Sequence, residues 1–515
     1  MCYEMERNAK KMLQTIEQIN NVVNNFIWGV PAMICIIGVG LFLSVRTRFL
    51  QIRKFPYAMK VTIGRMLKKR EASDGALTPF QAVCTALAAT VGTGNVAGVA
   101  GAIAIGGPGA VFWMWISAIL GMCTKFSEVT LAVHFRETNA NGELVGGPMY
   151  YIKNGLSKKW HFLAYLFAAF GVLTVFGTGN ATQVNTITTA VNSALMNYHV
   201  ISKDAVPTSN LIQGIIIAAL VALILLGGVK RIAQVTEKLV PFMALFYIVL
   251  AIGVILLNLN RIPSVFVSIL EGAFRPSAVT GGIVGSMLMS VKKGVSRGIF
   301  SNESGLGSAP IAAAAAQTKE PVRQGLVSMT GTFIDTIIIC TMTGLTIIVS
   351  GVWSGDLNGA AMTQSAFTMV FPVLGNMLLM IGLVLFAFTT ILGWNYYGER
   401  CIAYLLGVKA IIPYRLFFIA MVACGAFLKL EMIWIIADIA NGLMALPNLI
   451  ALLLLTGVIV KETKLYFKHL DENKDYKFNL FGQDIVKSGR YLMNHGLTVK
   501  LEGDYASLVL YIKEV

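Results

Sequence analysis

Charged side chains are scarce in this chain. Asp, Glu, Lys and Arg make up 13% of the 515 residues, whereas 56% of the residues are hydrophobic. Soluble domains carry about 25% charged residues, so this composition excludes an ordinary soluble domain. The alternation of apolar and polar residues expected of the strands of an outer-membrane barrel is also missing. The sequence therefore predicts an all-α polytopic membrane protein.

The signatures of enzymes and of metal-binding domains are missing as well. The seven cysteines form no Cys-x-x-Cys pair, and six of them lie in or beside apolar blocks, which excludes a disulfide framework and a zinc site. The five histidines are not clustered. No nucleotide-binding loop, His-Glu-x-x-His or Gly-x-Ser-x-Gly sequence occurs. We therefore expect neither an enzymatic activity nor a cofactor.

The hydrophobic residues form about eleven blocks, each long enough for the roughly 20 apolar residues of a membrane-spanning helix. The first block is followed by the most basic loop and lacks a cleavage site of small residues, so we interpret it as a retained helix rather than a signal peptide. The blocks lie near 26–46, 80–105, 110–134, 161–190, 211–229, 234–257, 282–316, 325–350, 371–397, 410–428 and 432–460.

Basic residues are distributed unevenly between the connecting loops. If successive loops alternate between the two sides, 30 of the 41 Lys and Arg residues fall on one side, seven on the other and four within apolar blocks. Cytoplasmic loops are the basic ones in membrane proteins. The net charge of +15 therefore needs no nucleic-acid partner. The asymmetry predicts a multi-pass protein of the cell (inner or plasma) membrane, with the N-terminus outside and the C-terminus in the cytoplasm.

The ten blocks after the first divide into two groups of five. Each group begins with an interrupted block: TVGTGN occupies 90–95 and FSNESGLGS occupies 300–308. Since five is odd, the second group enters the membrane from the opposite face, and inverted repeats led by broken helices are typical of sodium-coupled transporters. The predicted organisation is an interfacial segment 1–25, an extra membrane helix 26–46, a basic cytoplasmic loop 47–79, a first repeat 80–257, a second repeat 282–460 and a cytoplasmic tail 461–515.

Broken helices at membrane depth offer ligands for ions and solutes. A break leaves free N–H groups, which attract a carboxylate, and free carbonyl groups, which attract a cation. One broken helix therefore provides both parts of a site for an amino acid and Na⁺. The alternative is that Gly92, Gly94 and Gly98 only allow neighbouring helices to pack closely.

Polar residues within other blocks allow two interpretations each. The hydroxyls of Thr389 and Thr390 either coordinate a small cation or bond back to the preceding helical turn. Trp394 either walls a small pocket or anchors the helix at the membrane interface. Gln183 either contacts the substrate or joins two helices by hydrogen bonds.

The residues before the second break, Phe300, Ser301 and Asn302, supply either a lid and oxygen ligands or a polar cap for a half-helix.

Ionisable residues inside the membrane are functional candidates by default. Lys125 and Glu128 are spaced for a mutual ion pair on one helix. Asp335, Glu303 and Asp438 have no such local partner, and Arg297 or the pair Lys292–Lys293 could neutralise one of them; these acids keep proton coupling open as an alternative to Na⁺.

Five segments resemble signature segments of the alanine/glycine:cation symporter family, also called sodium:alanine symporters. They are ALAATVGTGNVAGVA, GGPMYY, GIFSNESGLGSAPIAAAAA, FIDTIIICTMTG and ADIANGLMALPNLIAL. The likeness extends from about 26 to 465. It implies a leucine-transporter-like fold of two inverted five-helix repeats with one preceding helix. It also implies Na⁺-driven import of alanine, glycine or both by alternating access; a proton-coupled carrier and a channel are the alternatives.

The resemblance also implies roles for individual residues. The amides of Thr93 and Gly94 would hold the substrate carboxylate, and the remaining pocket residues would surround the solute. The predicted substrate contacts are Thr90, Gly92, Thr93, Gly94, Gln183, Phe300, Ser301, Asn302, Thr390 and Trp394. The predicted Na⁺ ligands are Thr90 with Asn95 at one site, and Ala88 and Val91 with Thr389 and Thr390 at the other.

Overall fold

The computed structural model describes residues 29–66, 77–274, 285–318, 320–355, 357–427, 430–467, 475–480, 483–488 and 512–514. The predicted interfacial segment 1–25 and residues 67–76 of the predicted basic loop lie outside these ranges. The chain divides into two units, Met1–Val460 and Lys461–Val515. The described part of the first unit is almost entirely helical.

The described residues before 275 contain twelve helices, and a π-helical segment, Gly177–Ala181, joins two of them. The helices are α1 (Val30–Arg46), α2 (Leu50–Arg53), α3 (Phe55–Met66), α4 (Pro79–Thr90), α5 (Ala97–Gly106), α6 (Gly109–His134), α7 (Pro148–Gly155), α8 (Phe162–Phe176), α9 (Thr182–Asn197), α10 (Val206–Leu225), α11 (Gly228–Leu256) and α12 (Ile262–Phe274).

Nine helices follow in the described residues from 285 to 467, and a second π-helical segment, Phe333–Cys340, lies among them. These helices are α13 (Gly285–Asn302), α14 (Ala309–Ala314), α15 (Pro321–Thr332), α16 (Thr341–Ser350), α17 (Gly359–Val370), α18 (Gly375–Leu406), α19 (Ile411–Gly425), α20 (Leu430–Leu454) and α21 (Thr456–Tyr466). Short 3₁₀ turns occupy Thr93–Asn95, Lys158–Trp160, Lys203–Ala205, Leu259–Arg261, Val352–Ser354 and Val408–Ala410.

Five short strands among the described residues make the prediction of an all-α chain incomplete. Strands β1 (Glu137–Thr138) and β2 (Leu144–Val145) form a small antiparallel hairpin. In the tail, β3 (Asp475–Leu480) pairs antiparallel with both β4 (Gln483–Ser488) and β5 (Ile512–Glu514). Aromatic and β-branched residues such as Phe478 and Ile485, which pair across β3 and β4, favour strands. The basic, polar composition of the tail conceals this pattern.

Among the described residues, the helices that are long and apolar enough to cross a membrane do not account for all eleven predicted spans. Seven described helices are long and apolar enough to cross a membrane, or nine if each of two bent pairs is one span, rather than eleven. The described helices at the other two predicted positions, 26–46 and 282–316, are too short or too charged to count as membrane-spanning helices. Helix α1 has 17 residues, and the 18 residues of α13 include Lys292, Lys293 and Arg297.

Small residues allow the helices around α6 to pack closely. A Cβ atom on Gly298 of α13 would lie 2.3 Å from Ser117 Oγ of α6, and one on Gly325 of α15 would lie 2.5 Å from Thr130 Oγ1. Packing of small residues is the usual way in which membrane helices approach each other. It places α13 and α15 on α6, so that the segments leaving both helices meet in the interior.

Candidate functional site

Helix α4 ends abruptly at the interrupted segment 90–95, which we call the first break. It begins with a capping box between Thr78 and Gln81 and ends at Thr90, after which Gly92 is extended (φ −143°, ψ −152°). The helix axis turns by 59° there. Gly92 N–H donates to Asn95 Oδ1 at 2.8 Å. The carbonyl group of Ala88 therefore loses the donor that a continuous helix would supply.

The N–H groups at the start of the 3₁₀ turn that follows α4 also lack a partner within the turn. Thr93 and Gly94 open the 3₁₀ turn Thr93–Asn95, and the first residues of such a turn have no carbonyl acceptor within it. Helix α5 begins two residues after the turn, at Ala97. The first break thus presents carbonyl groups at one end and N–H groups at the other, which is the arrangement that the sequence predicts.

A buried carboxylate connects the two broken regions. Asn95 Nδ2 donates to Asp335 Oδ1 at 2.6 Å. Ser301, in the last turn of α13, donates to Asp335 Oδ2 at 2.9 Å, and Thr336 donates to the same oxygen at 2.7 Å. Asp335 lies in the π-helical segment and its side chain is fully buried. One carboxylate thus holds Asn95 and Ser301 together in the interior.

The second break lies between α13 and α14. Its backbone is left-handed at Glu303 (φ 56°), Gly305 (φ 92°) and Gly307 (φ 79°). The conformation is costly for Glu303, because a side chain disfavours positive φ. Ser308 Oγ donates to Glu303 Oε2 at 2.8 Å, across the break.

The N–H groups of the second break are occupied by the protein itself. Glu128 Oε1 accepts hydrogen bonds from Gly305 N–H at 3.0 Å and from Gly307 N–H at 3.2 Å. Asn448 Nδ2 donates to the same oxygen at 2.6 Å, and Tyr151 donates to Asn448 Oδ1. The second break therefore does not offer a solute the free N–H groups that the first break offers.

The predicted ion pair between Lys125 and Glu128 does not form. Glu128 Oε1 bonds to the second break, and Lys125 Nζ has no hydrogen-bond partner among the described residues. Instead, Lys125 lines a cavity of about 20 Å³ with Thr90 and Asn302, which is room for about one water molecule. Arg297, a candidate partner for the buried acids, lies 5.5 Å from the ring centroid of Phe300.

Helix α18 packs against the end of α4. A Cβ atom on Gly393 would lie 2.6 Å from Ala89 N, and one on Gly92 would lie 2.5 Å from Thr390 Oγ1. The hydroxyls of Thr389 and Thr390 donate to Phe386 O at 3.1 Å and 2.8 Å, so the back-bonding interpretation holds for both. The hydroxyl oxygen of Thr390 nevertheless lies beside the first break, whereas that of Thr389 lies 3.2 Å from Met243 Sδ of α11.

The structure decides between the two interpretations of Trp394. Its side chain is 3% exposed, a Cβ atom on Gly179 would lie 2.2 Å from Trp394 Cβ, and the Tyr397 ring is 5.7 Å away. It is therefore an interior residue and not an interfacial anchor. Gln183 donates to Thr178 O at 2.9 Å, whereas its buried Oε1 has no donor among the described residues.

Phe300 and Asn302 take different positions at the end of α13. A Cβ atom on Gly94 would lie 3.5 Å from Phe300 Cδ1 and from Ser301 Cα, so Phe300 covers the first break. Asn302 Oδ1 accepts from Ser304 N–H at 3.0 Å, and its Nδ2 donates to Thr336 at 3.1 Å. Asn302 therefore serves as a polar cap, the second of its two interpretations.

Contacts around the first break bring Gly92, Gly94, Asn95, Phe300, Ser301 and Thr390 together. No hydrogen bond in the described chain joins Gln183 directly to that break. The predicted site omits Asp335, although an acidic residue within an apolar block is a recognisable signal. It also omits Glu128, because the expected pairing with Lys125 conceals its contacts with a distant segment.

Comparisons with known proteins agree on one family. The family model described as "Sodium:alanine symporter family" matches residues 13–480. A second model, "Glycosyl hydrolase family 36 C-terminal domain", matches residues 449–512, a short part of the chain that begins within α20.

Curated relatives match over nearly their whole length. An "Uncharacterized transporter" of Haemophilus influenzae is 52% identical over 92% of this chain and 99% of its own. The "Sodium/alanine symporter AgcS" of Methanococcus maripaludis is 46% identical over 87% of this chain and 96% of its own. The "Probable sodium/glutamine symporter GlnT" of Bacillus subtilis is 38% identical over 93% and 95%.

These matches and the apolar helices identify a multi-pass membrane transporter and not an enzyme. The family model covers far more than half of the chain, and relatives well above 30% identity cover more than two thirds of it. The chain belongs to the sodium:alanine symporter family.

Proposed function

We propose that this protein is a sodium-coupled symporter that imports alanine, glycine or both across the cell membrane by alternating access. The observation that carries the proposal is the buried carboxylate of Asp335, which holds Asn95 of the first break and Ser301 before the second. An acidic group between two broken helices gives a cation a binding position that both halves of the protein share. The name of the 46% identical relative, a sodium/alanine symporter, supports the same ion and solute.

Sodium ions are the driving solute in this proposal, and the oxygens near the first break suit them. Na⁺ is a hard cation that prefers carboxylate, carbonyl and hydroxyl oxygens. Asp335 and Asn95, with the carbonyl of Thr90, form one candidate ligand group. The carbonyls of Ala88 and Val91, with the hydroxyls of Thr389 and Thr390, form the other; the packing of α18 on α4 supports this second group.

The amino acid is proposed to bind beside these ions. The N–H groups of Thr93 and Gly94 would hold its carboxylate, aided by the helix dipole of α5. The unpartnered Oε1 of Gln183 suits its ammonium group. Phe300 near Gly94 and the buried Trp394 favour a small side chain. Alanine and glycine therefore fit better than glutamine, which the name of the 38% identical relative indicates for that protein.

Alternating access is proposed to arise from two inverted repeats, 80–257 and 282–460, of which each begins with a broken helix. Their opposite orientation would expose the shared site first to one side of the membrane and then to the other. The basic loops place the N-terminus outside and the tail in the cytoplasm in this proposal.

Radiolabelled alanine uptake into proteoliposomes tests the proposal directly. We expect accumulation that requires an inward Na⁺ gradient and is inhibited by unlabelled alanine or glycine. Accumulation driven by a pH gradient without Na⁺ would assign the protein to the proton-coupled alternative, which the buried carboxylates of Asp335, Glu128 and Glu303 favour. Conductance without accumulation would indicate a channel. Uptake of glutamine but not alanine would contradict the proposed solute.

A further inference from the structure

A cavity lined by both polar and apolar residues lies between the first break and one end of the helix bundle. Its volume is about 220 Å³, and its walls come from α9, α17 and α18. Its lining ends at Ala97, the first residue of α5. The loops at its other end, near Ser193 and Asn376, belong to the side on which the sequence places few basic residues.

The walls of this cavity contain neutral polar groups and no charged side chain among the lining residues, all of which the structure describes. The polar lining residues are Asn185, Thr186, Thr189, Ser193, Gln364 and Asn376. Those on α9 recur at intervals of about one helical turn, so they share one face of the helix.

Hydrogen bonds fix the outer part of this polar lining. Gln364 Nε2 donates to Ser193 Oγ at 3.1 Å and to Asn376 Oδ1 at 2.5 Å. These bonds join α9, α17 and α18, so the cavity has walls in fixed positions. Deeper in the cavity, Thr189 donates to Asn185 Oδ1 at 3.3 Å, a long bond between half-buried or exposed residues that leaves much of their hydrogen-bonding capacity available.

The deep end of the cavity adjoins the first break. Ala97 follows Gly94 by three residues, and Gly94 is itself partly exposed. Thr363 of α17 donates to Val96 O at 3.4 Å, which holds the cavity wall against the start of α5. Ala97, which lines the cavity, is therefore only three residues from Gly94, whose N–H group the proposed function assigns to the substrate carboxylate.

We infer that this cavity is a second, outer binding site for a neutral amino acid, occupied before the solute reaches the first break. This inference rests on the proposed function. Amide and hydroxyl oxygens accept from an ammonium group, and amide N–H and hydroxyl groups donate to a carboxylate, so the lining suits both ends of a zwitterion. With no compensating charge in its walls, the cavity disfavours amino acids with a net charge.

Equilibrium binding of radiolabelled alanine to the purified full-length chain in Na⁺ tests this inference. We expect two alanine molecules per chain. Asn185→Leu removes an amide of the outer site without touching the Gln364 bonds, and should leave one molecule per chain with unchanged affinity. In proteoliposomes the same variant should raise the KM for alanine by about tenfold, the effect of losing about one good hydrogen bond, while kcat is retained.

Two controls keep the test decisive. Asn258→Leu, a half-buried Asn outside the cavity lining, should leave the stoichiometry and KM unchanged. Thr189→Val preserves the side-chain shape and replaces Asn185→Leu if that variant does not fold. One alanine per unsubstituted chain, or an unchanged KM in both cavity variants, would overturn the outer site but leave the proposed function intact. No Na⁺-dependent alanine binding at all would refute both.

Discussion

Asn95 Nδ2 lies 2.6 Å from Asp335 Oδ1, although the two residues are 240 positions apart in the sequence. Asn95 also accepts the Gly92 N–H through its Oδ1 at 2.8 Å, and its carbonyl accepts from Thr343 at 2.8 Å. The amide thus spans the first break and attaches it to the π-helical segment. In the proposed function, this one side chain therefore links ion binding at Asp335 to the shape of the first break.

Asp335→Asn is expected to abolish Na⁺-driven alanine uptake or to raise the half-saturating Na⁺ concentration by at least about tenfold, which corresponds to about 1.4 kcal/mol. The substitution removes the negative charge that the proposed Na⁺ site needs while it preserves the side-chain size. Uptake measured against Na⁺ concentration in proteoliposomes checks this. Asp204→Asn, in an exposed 3₁₀ turn, is the matched control, and wild-type Na⁺ dependence of Asp335→Asn would rule out the assignment.

The glycines of the first break are expected to tolerate substitution differently. A Cβ atom at Gly92 would lie 2.5 Å from Thr390 Oγ1, whereas one at Gly94 would meet Phe300 and Ser301 at an ordinary 3.5 Å. Gly92→Ala should therefore reduce alanine uptake strongly, and Gly94→Ala should retain much of it.

The larger variant Gly94→Val adds three carbon atoms beside Phe300 and the proposed carboxylate position. It should abolish uptake while the folded protein remains in the membrane, as size-exclusion chromatography of the detergent-solubilised protein would show. Normal uptake by Gly94→Val would contradict the role of the Gly94 amide.

Local features of the site could be predicted from sequence, and distant contacts could not. Glycine, β-branched and Asn residues in TVGTGN disfavour a helix, so the first break follows from the segment itself. The bond between Asn95 and Asp335 depends on how distant helices pack. Glu128 is misleading for the same reason, since Lys125 is its neighbour in sequence but Gly305 and Gly307 are its partners in space.

The number of spans and the tail show the limits of composition as a guide. The hydrophobic blocks predict eleven membrane-spanning helices. The charged residues Lys292, Lys293 and Arg297, however, make α13 too polar to count as a membrane-spanning helix by its composition. The sequence predicts a loop where helix α17 lies, because 12 residues are too few for a membrane-spanning helix. In the tail, charged residues hide the pairing of β3 with β4.

Glu128→Ala is expected to lower the stability of the folded protein. It leaves the N–H groups of Gly305 and Gly307 and the amide of Asn448 without their shared acceptor in a buried position. Each buried unsatisfied group costs about 1–3 kcal/mol, so a clear fall in Tm in detergent is expected. Glu320→Ala removes a largely exposed carboxylate and should leave Tm nearly unchanged. Equal Tm values for the two variants would show that Glu128 does not support the second break.

Glu143→Gln is expected to destabilise the protein at neutral pH but not in acid. Glu143 lies between β1 and β2, and its carboxylate accepts from the buried Arg400 of α18 at 2.6 Å. Burial alone would raise the pKa of Glu143, but the hydrogen bond and charge of Arg400 outweigh it and hold the pKa below the ordinary value of 4.5. A carboxylate whose pKa is lowered by folding stabilises the folded state above its unfolded pKa, and this contribution is lost as the pH falls through the lowered value.

The Tm difference between the unsubstituted protein and Glu143→Gln should therefore be constant well above the ordinary glutamate pKa of 4.5 and shrink as the pH falls below it. A charge-assisted hydrogen bond is worth about 1.5–3 kcal/mol, which sets the expected size of the difference at neutral pH. Thermal unfolding followed by tryptophan fluorescence at several pH values measures it. The exposed Glu320→Gln should show no comparable difference at any pH, because the side chain of its partner Arg323 is also partly exposed (41%) and such pairs contribute little. A Tm difference for Glu143→Gln that persists unchanged into acid would mean that the side chain acts through its shape and not through its charge.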